Sequence, residues 1–76
     1  MTQSRALELL KQLGGTATSR QVYQLSVKTY GEKDGLSYMT KYYLHKLRIW
    51  EYVRYDFKND MWTVVDMTVE VESTRA

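Results

Sequence analysis

Lys41, Lys46 and Arg48 recur inside the stretch running from Leu36 to Trp50, interleaved with Tyr38, Tyr42 and His45 and with no acidic residue between them. Lysine and arginine neutralise anionic oxygens, and arginine can also grip a pair of acceptors bidentately. The hydroxyls of Ser37, Tyr38 and Tyr42 and the ring of His45 add hydrogen-bond donors. This is chemistry for holding a polyanion rather than transforming one. The motifs of catalysis are missing. No glycine-rich loop is followed by Lys and Ser/Thr at phosphate-loop spacing. No nucleophile is matched with a base other than His45, and no carboxylate pair sits on an inward helix face. One histidine without cysteines or a close carboxylate pair is not a metal site. The expectation is a binding protein with no enzyme activity, metal, cofactor or evident small-molecule ligand.

The basic stretch needs an element to present it. At about 100° per residue, Leu36, Met39, Thr40, Tyr43, Leu44, Leu47 and Trp50 gather in one wide stripe. Tyr38, Lys41, Tyr42, His45, Arg48 and Ile49 gather on the other side. The first stripe is the core face of a helix, and the second is an outer face that is basic and aromatic. The whole chain has 76 residues and a net charge of +2, which gives one domain and leaves little core to spare. That net charge hides an asymmetry. Residues 36–58 carry five cations against two carboxylates, whereas residues 59–76 carry Arg75 against Asp60, Asp66, Glu70 and Glu72. Such segregation predicts a directional field, with one face suited to an anionic partner. Cysteine is absent, so nothing calls for an oxidising compartment. No apolar run is long enough to span a bilayer and no signal-peptide core is recognisable, so a soluble, cytoplasmic protein is expected.

Taken in order, Met1 to Gln3 should be loose, and Ser4 can cap a helix from Arg5 to Leu13 with Ala6, Leu9, Leu10 and Leu13 inward. Gly14-Gly15 ends it. Thr16-Ala17-Thr18 can add a brief strand to a sheet formed elsewhere. Ser19 reads as the N-cap of a second helix reaching about Tyr30, with Val22, Leu25, Ser26 and Thr29 inward. A turn from Gly31 to Gly35 leads into the third helix. A two-stranded hairpin follows, Tyr52–Phe57 and Met61–Val65. A two-residue turn at Asn59-Asp60 would set Phe57 opposite Trp62 and Tyr55 opposite Val64. Val53, Tyr55, Phe57, Trp62 and Val64 would then share the inner face, with Arg54, Asp56, Lys58 and Thr63 outside. Trp50 and Trp62 read as core. Met67–Val71 continues the alternation and is expected to extend the last strand or pair with a second molecule. Ser73–Ala76 reads as a disordered tail.

The order helix, short strand, helix, turn, helix, hairpin resembles the winged helix-turn-helix family over roughly residues 4–66. Leu36-Ser37 through Leu44 and Leu47, then Tyr52-Val53, is similar to that family's recognition helix running into its wing. Thr18-Ser19-Arg20-Gln21-Val22 is similar to the start of its positioning helix. The chain departs from the family pattern at Trp50-Glu51, where a glycine is common, in its five-residue turn before the third helix, and in a short, weakly basic wing turn at Lys58-Asn59-Asp60.

The resemblance implies an α+β fold with three helices and a hairpin wing, and a transcriptional regulator whose third helix, about residues 36–49, lies in the major groove of double-stranded DNA. It makes Ser37, Tyr38, Lys41 and Tyr42 the base readers. By their own chemistry Lys41, Lys46 and Arg48 can neutralise phosphates, Arg48 can instead grip a guanine, and His45 can donate to a phosphate or a base. Arg20 and Gln21 would lie near a phosphate, and Arg54 and Lys58 would meet the backbone beside the groove. One such helix reads few bases, so a homodimer is expected, with helix 1 and Met67–Val71 as interfaces. Two other readings compete. Tyr38, Tyr42 and Ile49 can anchor a protein partner, or the tyrosines can stack on single-stranded nucleic acid. The cationic face favours duplex DNA. Lys41, Lys46 and Arg48 are otherwise an ordinary solvated surface, and Arg54 beside Asp56 a weak ion pair.

Overall fold

Three stretches of helical periodicity and two of period-two alternation become an α+β structure of three helices and a three-stranded antiparallel sheet. The computed structural model describes residues 2–71. The elements are α1 (Gln3–Gln12), β1 (Thr16–Thr18), α2 (Ser19–Tyr30), α3 (Leu36–Ile49), β2 (Val53–Asp56) and β3 (Met61–Val64). No described helix is long and apolar enough to cross a membrane. The expectations for Met1 and for Ser73–Ala76 lie outside the described residues.

Both early helices are capped one or two residues before the expected position. Thr2, not Ser4, caps α1, its Oγ1 accepting from the Arg5 amide at 3.3 Å. Thr18, not Ser19, caps α2 in a reciprocal box. Its Oγ1 accepts from the Gln21 amide at 3.1 Å while Gln21 Oε1 accepts from the Thr18 amide at 2.9 Å. That leaves the Ser19 hydroxyl free to act in the interior. The buried residues of α1 are Ala6, Leu7, Leu9 and Leu10, and those of α3 are Leu36, Thr40, Leu44 and Leu47. The α1 residues with Leu44 and Leu47 of α3, Val22 of α2 and Ala17, Val53, Trp62 and Val64 of the sheet make one core. Trp50 is outside it, 42% exposed. It follows the last helical turn at the C-cap, where the chain leaves the helix and the periodicity no longer sets its direction.

The sheet order is β1-β3-β2, so the hairpin carries a third strand. β1 pairs with β3 through Ala17↔Trp62. The hairpin register differs from the expected one by two residues: Tyr55 opposes Trp62 and Asp56 opposes Met61, joined by a four-residue loop, Phe57 to Asp60. A shift of two preserves which side chains share a face, so alternation cannot distinguish the two registers. The loop decides. Asp56 accepts from the Lys58 amide (3.0 Å) and the Asn59 side chain (2.7 Å), and Asp60 takes a left-handed conformation at φ 51°. Phe57 thereby leaves the inner face and is 68% exposed.

Met67–Val71 forms no strand. Asp66 accepts from the Thr68 amide and hydroxyl at 2.9 and 2.7 Å and turns the chain. The segment then crosses α1, where Lys11 Nζ donates to the Val69 carbonyl at 2.7 Å and Val71 packs on the core. Met67 lies over Gly15, whose added Cβ would stand 2.7 Å from the methionine sulfur. It therefore covers its own first helix instead of prolonging β3.

α1 and α3 end in the same geometry with different residues. After α1, Gly15 N–H bonds Leu10 C=O and Gly14 N–H bonds Lys11 C=O. After α3, Tyr52 N–H bonds Leu47 C=O and Glu51 N–H bonds Arg48 C=O. This double bond pattern requires a left-handed residue, which is Gly14 (φ 89°) in the first case and Glu51 (φ 65°) in the second. Glu51 thus occupies what is conformationally a glycine position, filled by a residue with a Cβ. Glu51→Gly should raise the unfolding free energy by about 0.5–1 kcal/mol, the relieved left-handed strain less the entropy glycine adds to the unfolded chain. Urea denaturation of the two proteins side by side measures it. A destabilised variant would show that the Glu51 side chain holds the corner.

Candidate nucleic-acid interface

A buried indole fixes the position of α3 against the hairpin. Trp62 is fully buried on β3, and its Nε1–H donates to Ser19 Oγ at 2.8 Å. Ser19 in turn donates to Asp60 Oδ1 at 2.7 Å, and the Tyr55 hydroxyl donates to the same oxygen at 2.6 Å. The start of α2, both hairpin strands and the loop are therefore tied through one carboxylate. Among the described residues, no buried side-chain nitrogen or oxygen lacks a partner. The hydrogen bond from Tyr55, followed by that from Ser19, holds the Asp60 carboxyl below its ordinary range, and Lys41 adds a smaller favourable charge. The same bond to Asp60 holds the Tyr55 hydroxyl above its ordinary range. Ser19 and Asp60 were legible in the sequence only as a helix cap and a turn residue. The signal that joins them is the need of a buried tryptophan for an acceptor.

Aromatic packing continues outward from this centre. Tyr55 stacks on Trp62 with ring centres 4.1 Å apart, and His45 of α3 meets Trp62 edge-on at 5.0 Å. His45 is therefore half-buried, its ring turned into the hairpin rather than presented freely on the outer face. Phe57 packs its edge on Tyr55 at 4.7 Å, and the Arg48 guanidinium lies 4.9 Å from the Phe57 ring centre. The hairpin loop and the C-terminal half of α3 are thus in direct contact.

The outer face of α3 holds most of the remaining residues singled out in the sequence. Ser37, Tyr38, Lys41, Tyr42 and Arg48 are exposed, and Lys46 is half-buried with its ammonium 5.4 Å from the Tyr42 ring centre. Tyr38 and Tyr42 stack at 6.3 Å. Ile49 continues this face at 71% exposure. Arg20, at the start of α2, is exposed and lines a cleft of about 250 Å³ together with Ser37, Lys41 and Asp60. Gln21 is exposed, but its side-chain oxygen is taken by the α2 cap. Arg54 projects from β2 and lines a groove with Arg48 and Glu51, while Lys58 is exposed on the hairpin loop. Two junctions therefore organise the cations: Arg20 at the start of α2 with Lys41 in the first half of α3, and Arg48 with Arg54 where α3 meets the hairpin. Among the described residues, no group of three His, Cys, Asp or Glu side chains is placed to hold a metal ion. Comparison with protein-family models, with curated proteins and with solved structures gave no match.

Ser19→Ala should cost about 1–3 kcal/mol, because it leaves the buried Trp62 N–H without an acceptor. Chemical denaturation reads this, and a change within a few tenths of a kcal/mol would show that the indole is otherwise satisfied. The acid limb of stability tests Asp60 separately. Its folded value lies below the unfolded one, so its hydrogen bonds contribute fully above the ordinary carboxylate range, about pH 4, and the contribution is lost as pH falls further. Asp60→Asn should flatten the loss of stability below about pH 4 relative to the parent.

Proposed function

We propose that this chain is a winged helix-turn-helix domain that binds duplex DNA and acts as a homodimeric transcriptional regulator. In this reading α3 enters the major groove, the β2–β3 hairpin is the wing along the sugar-phosphate backbone, and the start of α2 meets a phosphate. The observation that carries the reading is the outer face of α3. It bears Lys41, Lys46 and Arg48, and the helix contains no carboxylate. Arg20 lies beside Lys41 at one end and Arg54 beside Arg48 at the other. Cations spread along one helix and onto the elements flanking it suit two rows of phosphates, one on each side of a groove.

The roles follow from placement. Lys41, Lys46 and Arg48 neutralise phosphate. Ser37, Tyr38 and Tyr42 face outward from the first half of α3 and can meet base edges. Arg54 and Lys58 add backbone contacts, while His45 acts as packing between helix and wing. The homodimer follows from reach, since a second α3 doubles the bases contacted and matches a palindromic site. Catalysis has no part in this reading. A second reading, a protein-binding module, draws on the exposed Tyr38, Tyr42 and Ile49, because aromatic and aliphatic anchors of this kind suit protein interfaces.

Fluorescence anisotropy of a mixed-sequence duplex at two salt concentrations separates them. The expected result is binding that weakens steeply with salt. In Lys41→Ala/Arg48→Ala, affinity should fall by at least about tenfold and the slope of log affinity against log salt should shrink by roughly two phosphates' worth. The fold should persist, because both side chains are exposed and the lost Arg48–Phe57 contact contributes about 0.5–1 kcal/mol. Equal binding by parent and double variant at moderate salt would remove α3 from the interface.

A further inference from the structure

The cations of α3 are not at the centre of its exposed face. Tyr38, Tyr42 and Ile49 are, falling within about 40° of one another around the helix, whereas Lys41 and Arg48 lie to one side and Lys46 to the other. The central line is conspicuous for its exposure: Tyr38 is 74% and Ile49 71% exposed. It spans about 16 Å along the axis at the usual helical rise. A helix seated in the major groove turns its flanks to the two phosphate walls and its centre to the base edges on the floor. The charge distribution of α3 fits that seating, with the cations toward the walls. The floor then meets a line that is mainly ring and aliphatic surface.

Most of what base pairs show in the major groove is hydrogen-bond donors and acceptors, and the prominent apolar group is the C5-methyl of thymine. An exposed isoleucine can gain nothing from the N7 or O6 of guanine. It gains by burying a methyl. Tyr38 and Tyr42 can do the same with their ring faces while their hydroxyls reach a polar edge or phosphate.

We propose that the Tyr38–Tyr42–Ile49 line reads thymine methyl groups, so that this domain selects duplexes presenting C5-methyls in the major groove. The proposal rests on the DNA-binding reading above and adds to it the base chemistry that is selected. It predicts a preference for thymine-containing steps over the same steps with uracil, and a gain when cytosine in the contacted steps is replaced by 5-methylcytosine.

The test is anisotropy with the intact chain and an A·T-rich duplex made in two forms, with thymine and with deoxyuridine at every T position. The parent should bind the thymine form more tightly, by roughly fourfold for each methyl buried. The ratio should shrink toward one in Ile49→Ala and in Tyr38→Ala; both positions are exposed, so thermal melts of the variants should match the parent. Equal affinity of the parent for the two duplexes overturns the methyl proposal and leaves the DNA reading standing. A thymine preference that both variants retain in full also overturns it, since the preference would then come from duplex shape or another residue. No binding to either duplex at low salt overturns the proposal together with the DNA reading, and leaves the same line as a surface for a protein partner.

Discussion

Burying Trp62 is the constraint on which the rest of the arrangement depends. Its ring supplies a large share of the apolar volume in a chain with few large side chains inside, yet its N–H must find an acceptor where no water reaches. Ser19 provides that acceptor. A serine hydroxyl that accepts from an indole is free to donate its own proton, and Asp60 takes it. The carboxylate also takes the Tyr55 hydroxyl, which aligns Tyr55 flat against the indole. One apolar burial thus generates a polar chain that joins α2, both strands of the hairpin and the loop between them. The loop geometry that exposes Phe57 and the left-handed backbone of Asp60 are consequences of bringing that carboxylate inward.

α3 is held between this hub and the helical core. Its inner side is ordinary packing, with Leu44 and Leu47 fully buried and Thr40 satisfied by the Leu36 carbonyl at 2.8 Å. Its hairpin side packs on aromatic rings, with His45 on Trp62 and Arg48 on Phe57. The remaining sector faces water. α3 is thus supported on two of its three sides. The sharp corner at Glu51 belongs to the same arrangement. It closes α3 and sends the chain directly into β2, which keeps the hairpin against the helix at the cost of a left-handed residue.

The C-terminal segment bears on assembly. Met67 and Val71 are used within the chain, over Gly15 and against the core. The segment whose alternation suggested a pairing edge is thus folded back over α1, with Met67 and Val69 still 47% and 38% exposed.

What the sequence determined by itself was what periodicity and local chemistry encode. The three helices, the glycine-bounded turn before Leu36, the brief strand at Thr16–Thr18 and the division of α3 into a core side and a cationic side are all stated by residues within a few positions of one another. Hairpin existence was legible, because alternation is local. Its register was not, because a two-residue slip keeps every face the same and the bonds that Asp56 and Asp60 accept in the loop separate the two arrangements. The caps moved for a similar reason: Ser4 and Thr2, or Ser19 and Thr18, are equivalent as local signals, and Ser19 was claimed by a tryptophan 43 residues away. Tertiary structure alone decided which aromatics would be buried, putting Trp62 and half of His45 inside and leaving Phe57 and Trp50 outside. It also turned Met67–Val71 back across α1. Each of these outcomes depends on partners distant in the chain, and a pattern read along the chain has no access to them.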